Sequence, residues 1–234
     1  MCSRYSLTSP AEAVRRMFDV PLPEGPLADP PPRYNIAPTQ PITIVRTGAA
    51  GAREMALVRW GLLPGWVKDP AKFTTLINAR AETIAEKPSF RTALRHRRCI
   101  VPADAFYEWM GEKGAKRPFL IRPRAGGPLA TPLGFAGLWE HWQSADGSEM
   151  ESAAIITVGA NATVATVHDR MPAILAPADF DAWLDVRSVR DTTAVEMLRP
   201  AGADVLELFE IGRRIGNSRF DDPALQQPLQ PTDH

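Results

Sequence analysis

The opening residues Met1-Cys2-Ser3-Arg4 set a thiol one position behind an initiator methionine. Once Met1 is excised, Cys2 carries an α-amine and a thiol on adjacent carbons. An α-amine has a reference pKa of about 7.7–8.0 against about 10.4 for lysine, so far more of it is unprotonated near neutrality. Such an amine condenses readily with an aldehyde. The neighbouring thiol can then attack the imine carbon and close a five-membered thiazolidine, with the advantage of an intramolecular step. A small second residue also simply permits removal of Met1, and that bland reading stands beside the chemical one.

Further groups invite chemistry, each with an ordinary alternative. In "LINARAET", Asn78, Arg80 and Glu82 fit a helix start with Asn78 as cap and the charges in water. Arg80 equally suits a phosphate, because guanidinium is a planar, permanently charged donor fork. In "VPADAFYEWM", Glu108 stands between Tyr107 and Trp109, where poor solvation would raise its pKa toward that of a general acid or base. Its alternative is an edge-strand glutamate facing water. "TVHDRMPAIL" sets His168, Asp169 and Arg170 ahead of a proline-led apolar run, and His168 is either structural or a proton-transfer group titrating near neutrality. Trp60, Trp66 and Trp109 are core residues or faces on which unpaired bases stack. Trp66, in the Pro- and Gly-broken "WGLLPGW", reads as a loop residue. "RTALRHRR" is a solvated helix face or a backbone-binding stripe. Cys99, in "CIVPA", reads as buried and inert.

These residues need elements to hold them. Ser9-Pro10-Ala11-Glu12 has the form of a capping box, predicting a helix over 9–18. The proline-dense segment 20–38 reads as a surface loop. Strands are expected at "ITIVR" and "MALVRW", paired around the 47–52 turn, and at "RCIVPA", "AFYEW", "PFLIR", "LGFAGLWE", "AAIITV" and "VLELFEI". Helices are expected at "NARAETIA", "SFRTALRH", "ADFDAWL" and "TTAVEMLR". Many strands broken irregularly by short helices describe an α+β fold with a rolled or barrel-like sheet.

The 234 residues, 44% hydrophobic, suffice for one large domain. Lys+Arg and Asp+Glu are equal at 27 each, which excludes a polybasic coat; an anionic partner must meet a local patch. No apolar stretch approaches the roughly 20 residues needed to span a bilayer, and no hydrophobic signal region leads the chain. A cytoplasmic protein is expected. Two cysteines and four scattered histidines show no zinc-ligand spacing, so free thiols, no metal and no cofactor are expected.

In chain order, Cys2 with Arg4, "RYNIAPTQ", "WGLLPGW", "INARAET", "CIVPADAFYEW" and "HDRMP" resemble the SRAP family, the SOS response-associated peptidase domain, from Cys2 to about Asn217. The resemblance implies a single SRAP-type domain over 2–222, with a β-barrel-like core and several short peripheral helices, and a flexible tail at 223–234. It implies a sensor of abasic sites in single-stranded DNA that cross-links covalently through Cys2, shielding the lesion from strand cleavage in the DNA damage and SOS response. It further implies Cys2 as nucleophile, Asn78 as polar orienter, Glu108 as acid/base and His168 as the group assisting sugar ring opening. Arg4, Arg80 and Arg170 match phosphate contacts, and Pro38, Trp66 and Trp109 match segments flanking the DNA groove. A monomer is expected, cytoplasmic, and nucleoid-associated if bacterial. The family name also suggests a cysteine-type (auto)peptidase, and aromatic stacking suggests a non-covalent reader of modified bases. One position departs from the family pattern, which has glycine after the cysteine. Ser3 there would be strained if the backbone needed a glycine conformation.

Overall fold

In the computed structural model, which describes residues 2–21, 27–112 and 114–229, strands dominate and helices are short. The strands are β1 (Arg4–Leu7), β2 (Arg33–Ile36), β3 (Pro41–Thr47), β4 (Arg53–Trp60), β5 (Asn78–Arg80), β6 (Arg98–Ala103), β7 (Ala105–Met110), β8 (Arg117–Pro123), β9 (Leu133–Gln143), β10 (Glu149–Gly159), β11 (Arg170–Pro172), β12 (Ile174–Leu175) and β13 (Leu206–Glu210). The helices are α1 (Ala11–Phe18), α2 (Arg91–His96), α3 (Ala162–Ala165), α4 (Phe180–Leu184) and α5 (Asp191–Val195). No helix among the described residues is long and apolar enough to cross a membrane.

Strands β10, β4, β3, β6 and β9 form a continuous ladder, and β9 returns to pair with β10, closing a five-stranded barrel. Closure removes the open edges that strands otherwise present. Ile44, Trp60, Ile100, Phe135, Leu138 and Ile155 are fully buried in the main core. Gly137 permits the close approach of β9 to β6: a Cβ there would meet Cys99 Sγ at 2.9 Å and Val101 Cγ2 at 3.1 Å. Cys99 is accordingly buried, as the apolar run implied. The fold is α+β, as the strand-rich pattern predicted.

A second sheet, ordered β13-β8-β7-β1-β2, carries the amino end of the chain. At the far end of β1 from Cys2, the Asp104 carboxylate accepts from the backbone N–H groups of Thr8 and Ser9, both at 2.6 Å, and from Ser9 Oγ at 2.6 Å. Ser9 is therefore anchored to Asp104 and does not cap α1, whose N-cap is Pro10 with no side-chain bond; Glu12 pairs instead with Arg15 and Arg16.

Three further expectations need correction. The 78–85 helix is absent: Asn78–Arg80 is a strand parallel to β10, in register Ile155↔Asn78 to Thr157↔Arg80, followed by a 3-10 turn over Ala81–Thr83. Pairing that buries Ala79 completely overrides helical propensity. Within the proline-rich segment, Arg33–Ile36 pairs with β1. The loose tail does not begin at 223: Pro223–Gln226 forms a 3-10 turn, Leu225 is buried, and Gln226 Nε2 donates to Ser6 Oγ at 3.0 Å and to Tyr107 OH at 2.9 Å. Residues 230–234 of that expected tail lie outside the described residues.

Candidate active site

Two sheets meet at Cys2. β1 pairs antiparallel with β7 in register Arg4↔Tyr107, so the chain before Arg4 runs on toward the Glu108 end of β7. On the barrel side, the end of β10 holds β5 along one edge and β11 along the other, so Asn78 and Arg80 arrive opposite Arg170. Asn78 joins the two sheets: its Nδ2 donates to the Cys2 carbonyl at 2.8 Å. Asn78 Oδ1 is buried and has no hydrogen-bond partner among the described residues, leaving an acceptor beside the Cys2 backbone.

Cys2 is fully buried, and its Sγ donates to the Arg4 carbonyl at 3.5 Å. Desolvation, reinforced by the Glu108 charge, pushes the thiol well above the ordinary cysteine value. Glu108 is itself 2% exposed. Burial pushes its carboxyl up to about 7, with Asp169 adding to the rise and the positive amino terminus opposing it. Glu108 Oε2 faces His168 Nε2 at 3.9 Å. Burial lowers the His168 pKa, so the ring is neutral around pH 7. Its Nδ1 accepts the Arg170 backbone N–H at 3.0 Å, which places the ring proton on Nε2, toward Glu108. Asp169 Oδ1 lies 2.9 Å from the same Nδ1 and would be the partner once the ring is doubly protonated.

The structure thus brings Cys2, Asn78, Glu108 and His168 together. Arg4 is half-buried at the rim, with Nη2 donating to Gly216 O at 3.4 Å. Arg80 is exposed, whereas the Arg170 fork is occupied by Glu82 and the Thr157 carbonyl. Pro38 sits half-buried in a turn, and Trp66 stands 58% exposed with Phe73 edge-on at 5.6 Å. Trp109 is not brought to the Cys2 group: one residue on from Glu108, it packs with Tyr107 against the small cluster of Leu120, Ile211 and Leu225. Ser3 meets no strain, since Asp19 and Thr39 are the positive-φ non-glycine residues among those described. A 220 Å³ apolar cavity bordered by Leu7, Val14, Ile36, Ile42, Met55 and Leu57 lies elsewhere and includes none of the four.

Sequence reasoning missed Asp104 and Gln226, which fix β1 from its far end and its flank. No local pattern marks either, because each acts on a residue 95 or more positions away.

Known proteins share this arrangement of chain. The sequence profile described as "SOS response associated peptidase (SRAP)" matches residues 1–218. The abasic site processing protein YoqW of Bacillus subtilis is 36% identical over 229 residues, covering 96% of this chain and 98% of that protein. The mouse abasic site processing protein HMCES is 32% identical over 232 residues, covering 84% of this chain and 65% of that longer protein. A crystal structure of a protein from Bacteroides thetaiotaomicron superposes with a TM-score of 0.83 at 27% identity, covering 98% of this chain and all of that one. Matched along nearly its whole length in both sequence and fold, the chain belongs to the SOS response associated peptidase (SRAP) family.

Proposed function

We propose that this protein processes abasic sites in single-stranded DNA by forming a covalent thiazolidine cross-link through Cys2, passing through a lyase-type Schiff base. One observation carries the reading: Cys2, held at its carbonyl by Asn78, lies beside a buried carboxyl with a pKa of about 7 that faces a neutral histidine. The names of YoqW and HMCES support the substrate class.

An abasic deoxyribose is mostly a closed hemiacetal. The Glu108 carboxylate takes the C1′ hydroxyl proton and returns it to O4′ as the C1′–O4′ bond breaks, with His168 Nε2–H steadying the carboxylate, and the aldehyde is freed. With Met1 removed, the neutral α-amine of Cys2 attacks C1′ to give a carbinolamine. Glu108, with its pKa near 7, donates a proton to the departing hydroxyl, which leaves as water, and the imine forms. The Cys2 thiol then adds: an S–C1′ bond forms, the C=N π pair moves to nitrogen, and the thiol proton follows it. The saturated ring lacks the electron sink that would drive β-elimination, so the strand stays intact. Asn78 Oδ1 supplies an acceptor for the amine or a sugar hydroxyl. Arg4 and Arg80 meet phosphates, and Pro38 and Trp66 flank the bases.

Order matters here. Burial keeps Sγ a protonated thiol, which suits an amine-first sequence and disfavours a cysteine peptidase, whose nucleophile is an acidified thiolate. A non-covalent base reader would bind DNA reversibly with salt and yield no adduct. Cys2→Ala, which keeps an amine, is expected to give borohydride-trappable complexes or strand cleavage on abasic single-stranded DNA but no stable adduct on a denaturing gel. A stable adduct from that variant would contradict the thiazolidine step.

A further inference from the structure

The two arginines flanking the end of β10 differ in what holds them. Arg80 is exposed. Arg170 is enclosed, its side chain 11% exposed, and its guanidinium spans three elements. Nη1 and Nη2 donate to Glu82 Oε1 and Oε2 at 2.6 and 2.9 Å, a two-pronged match of fork to carboxylate. Nη2 also donates to the Thr157 carbonyl of β10 at 2.6 Å. Arg170 Nε is buried without a hydrogen-bond partner among the described residues, so the fork is held from its outer face alone. The backbone N–H of the same residue donates to His168 Nδ1 at 3.0 Å.

We infer that Glu82 is a positioning residue for the chemistry: by clamping the Arg170 side chain across β10, β11 and the 81–83 turn, it fixes the Arg170 N–H that keeps His168 Nε2–H directed at Glu108. The inference rests on the ring-opening role proposed for His168, whose Nε2–H steadies the Glu108 carboxylate. A histidine's tautomer is set by the bond its other nitrogen makes, so a shift of the Arg170 backbone releases the ring to both tautomers. The Glu82 side chain is 54% exposed and carries no core packing, so its replacement leaves the barrel intact. Glu82 and a DNA phosphate also present similar oxygens to the same fork. A carboxylate acting only as a phosphate competitor predicts the opposite sign of effect.

The test compares wild type with Glu82→Gln, which keeps length and one accepting oxygen but loses the charge. Cross-linking to abasic single-stranded DNA should slow about tenfold, the scale expected when a catalytic group loses its alignment. Affinity for the same strand carrying an unreactive tetrahydrofuran residue should stay within about twofold. Side-chain ¹⁵N spectra at pH 8 should show wild-type His168 as a single Nε2–H tautomer and the variant as a mixture. Unchanged rate and unchanged tautomer overturn the inference. Tighter binding to the tetrahydrofuran strand with faster cross-linking also overturns it, in favour of phosphate competition. If wild type itself forms no adduct, the proposed function fails, and the tautomer comparison alone still decides whether Glu82 governs His168.

Discussion

Arg98 and Glu108 are both charged side chains buried almost completely, and they are kept in opposite conditions. Arg98, 1% exposed in the barrel, donates to four backbone carbonyls: Trp183 at 2.5 Å, Asp185 at 2.7 Å, and Leu94 and Val189 at 3.0 Å. It fastens α4 and the chain beyond it to the barrel. Glu108, equally buried, is so poorly solvated that its carboxyl titrates near 7. A buried charge whose bonds are satisfied is a fastener; one held near its titration point is a proton store.

Breaking each side of that contrast should give different signatures. The largest effect belongs to the fastener: Arg98→Ala strands four carbonyls and should destabilise the fold by about 3–5 kcal/mol, read by denaturant unfolding. Next, Glu108→Gln should slow cross-linking by about 10²–10⁴-fold. That variant should also become more stable relative to wild type as pH rises. The wild-type carboxyl, raised from 4.5 to about 7, binds more protons folded than unfolded between those values, so wild-type stability falls as pH climbs through them. Glutamine escapes that loss, on the order of 3 kcal/mol, so the stability difference should be small at pH 4.5 and full at pH 8. Asn78→Ala removes the bond to the Cys2 carbonyl and should cost about 2 kcal/mol of transition-state stabilisation, seen as slower adduct formation at unchanged DNA affinity. The smallest effect is expected at Trp66→Ala, which loses an exposed stacking face and should weaken binding to undamaged single-stranded DNA by about 1 kcal/mol.

The chemistry was more legible in the sequence than the scaffolding. Cys2, Glu108 and His168 carry their meaning in residue type: a terminal amine beside a thiol, a carboxyl among aromatics, an imidazole at a break in structure. The hairpin of β3 and β4 was equally readable from β-branched content around a glycine turn. Asn78 fits a helix cap in isolation because "NARAET" has helical propensity, and only pairing with β10 makes it a strand residue bonded to Cys2. Arg80 and Arg170 looked alike in sequence, and nothing local could show that Glu82 takes up one fork. The Gln226 bond to Ser6 spans 220 positions, a contact no periodicity encodes.

The most direct test of the account is the structure of the adduct at Cys2. Wild-type protein, shown by mass to lack Met1, is mixed with single-stranded DNA bearing one abasic site, digested, and the cross-linked peptide fragmented by mass spectrometry. The account predicts an adduct, formed without borohydride, in which C1′ is bonded to both the α-nitrogen and Sγ of Cys2. An adduct bonded through any other residue, or no adduct at all, would contradict it.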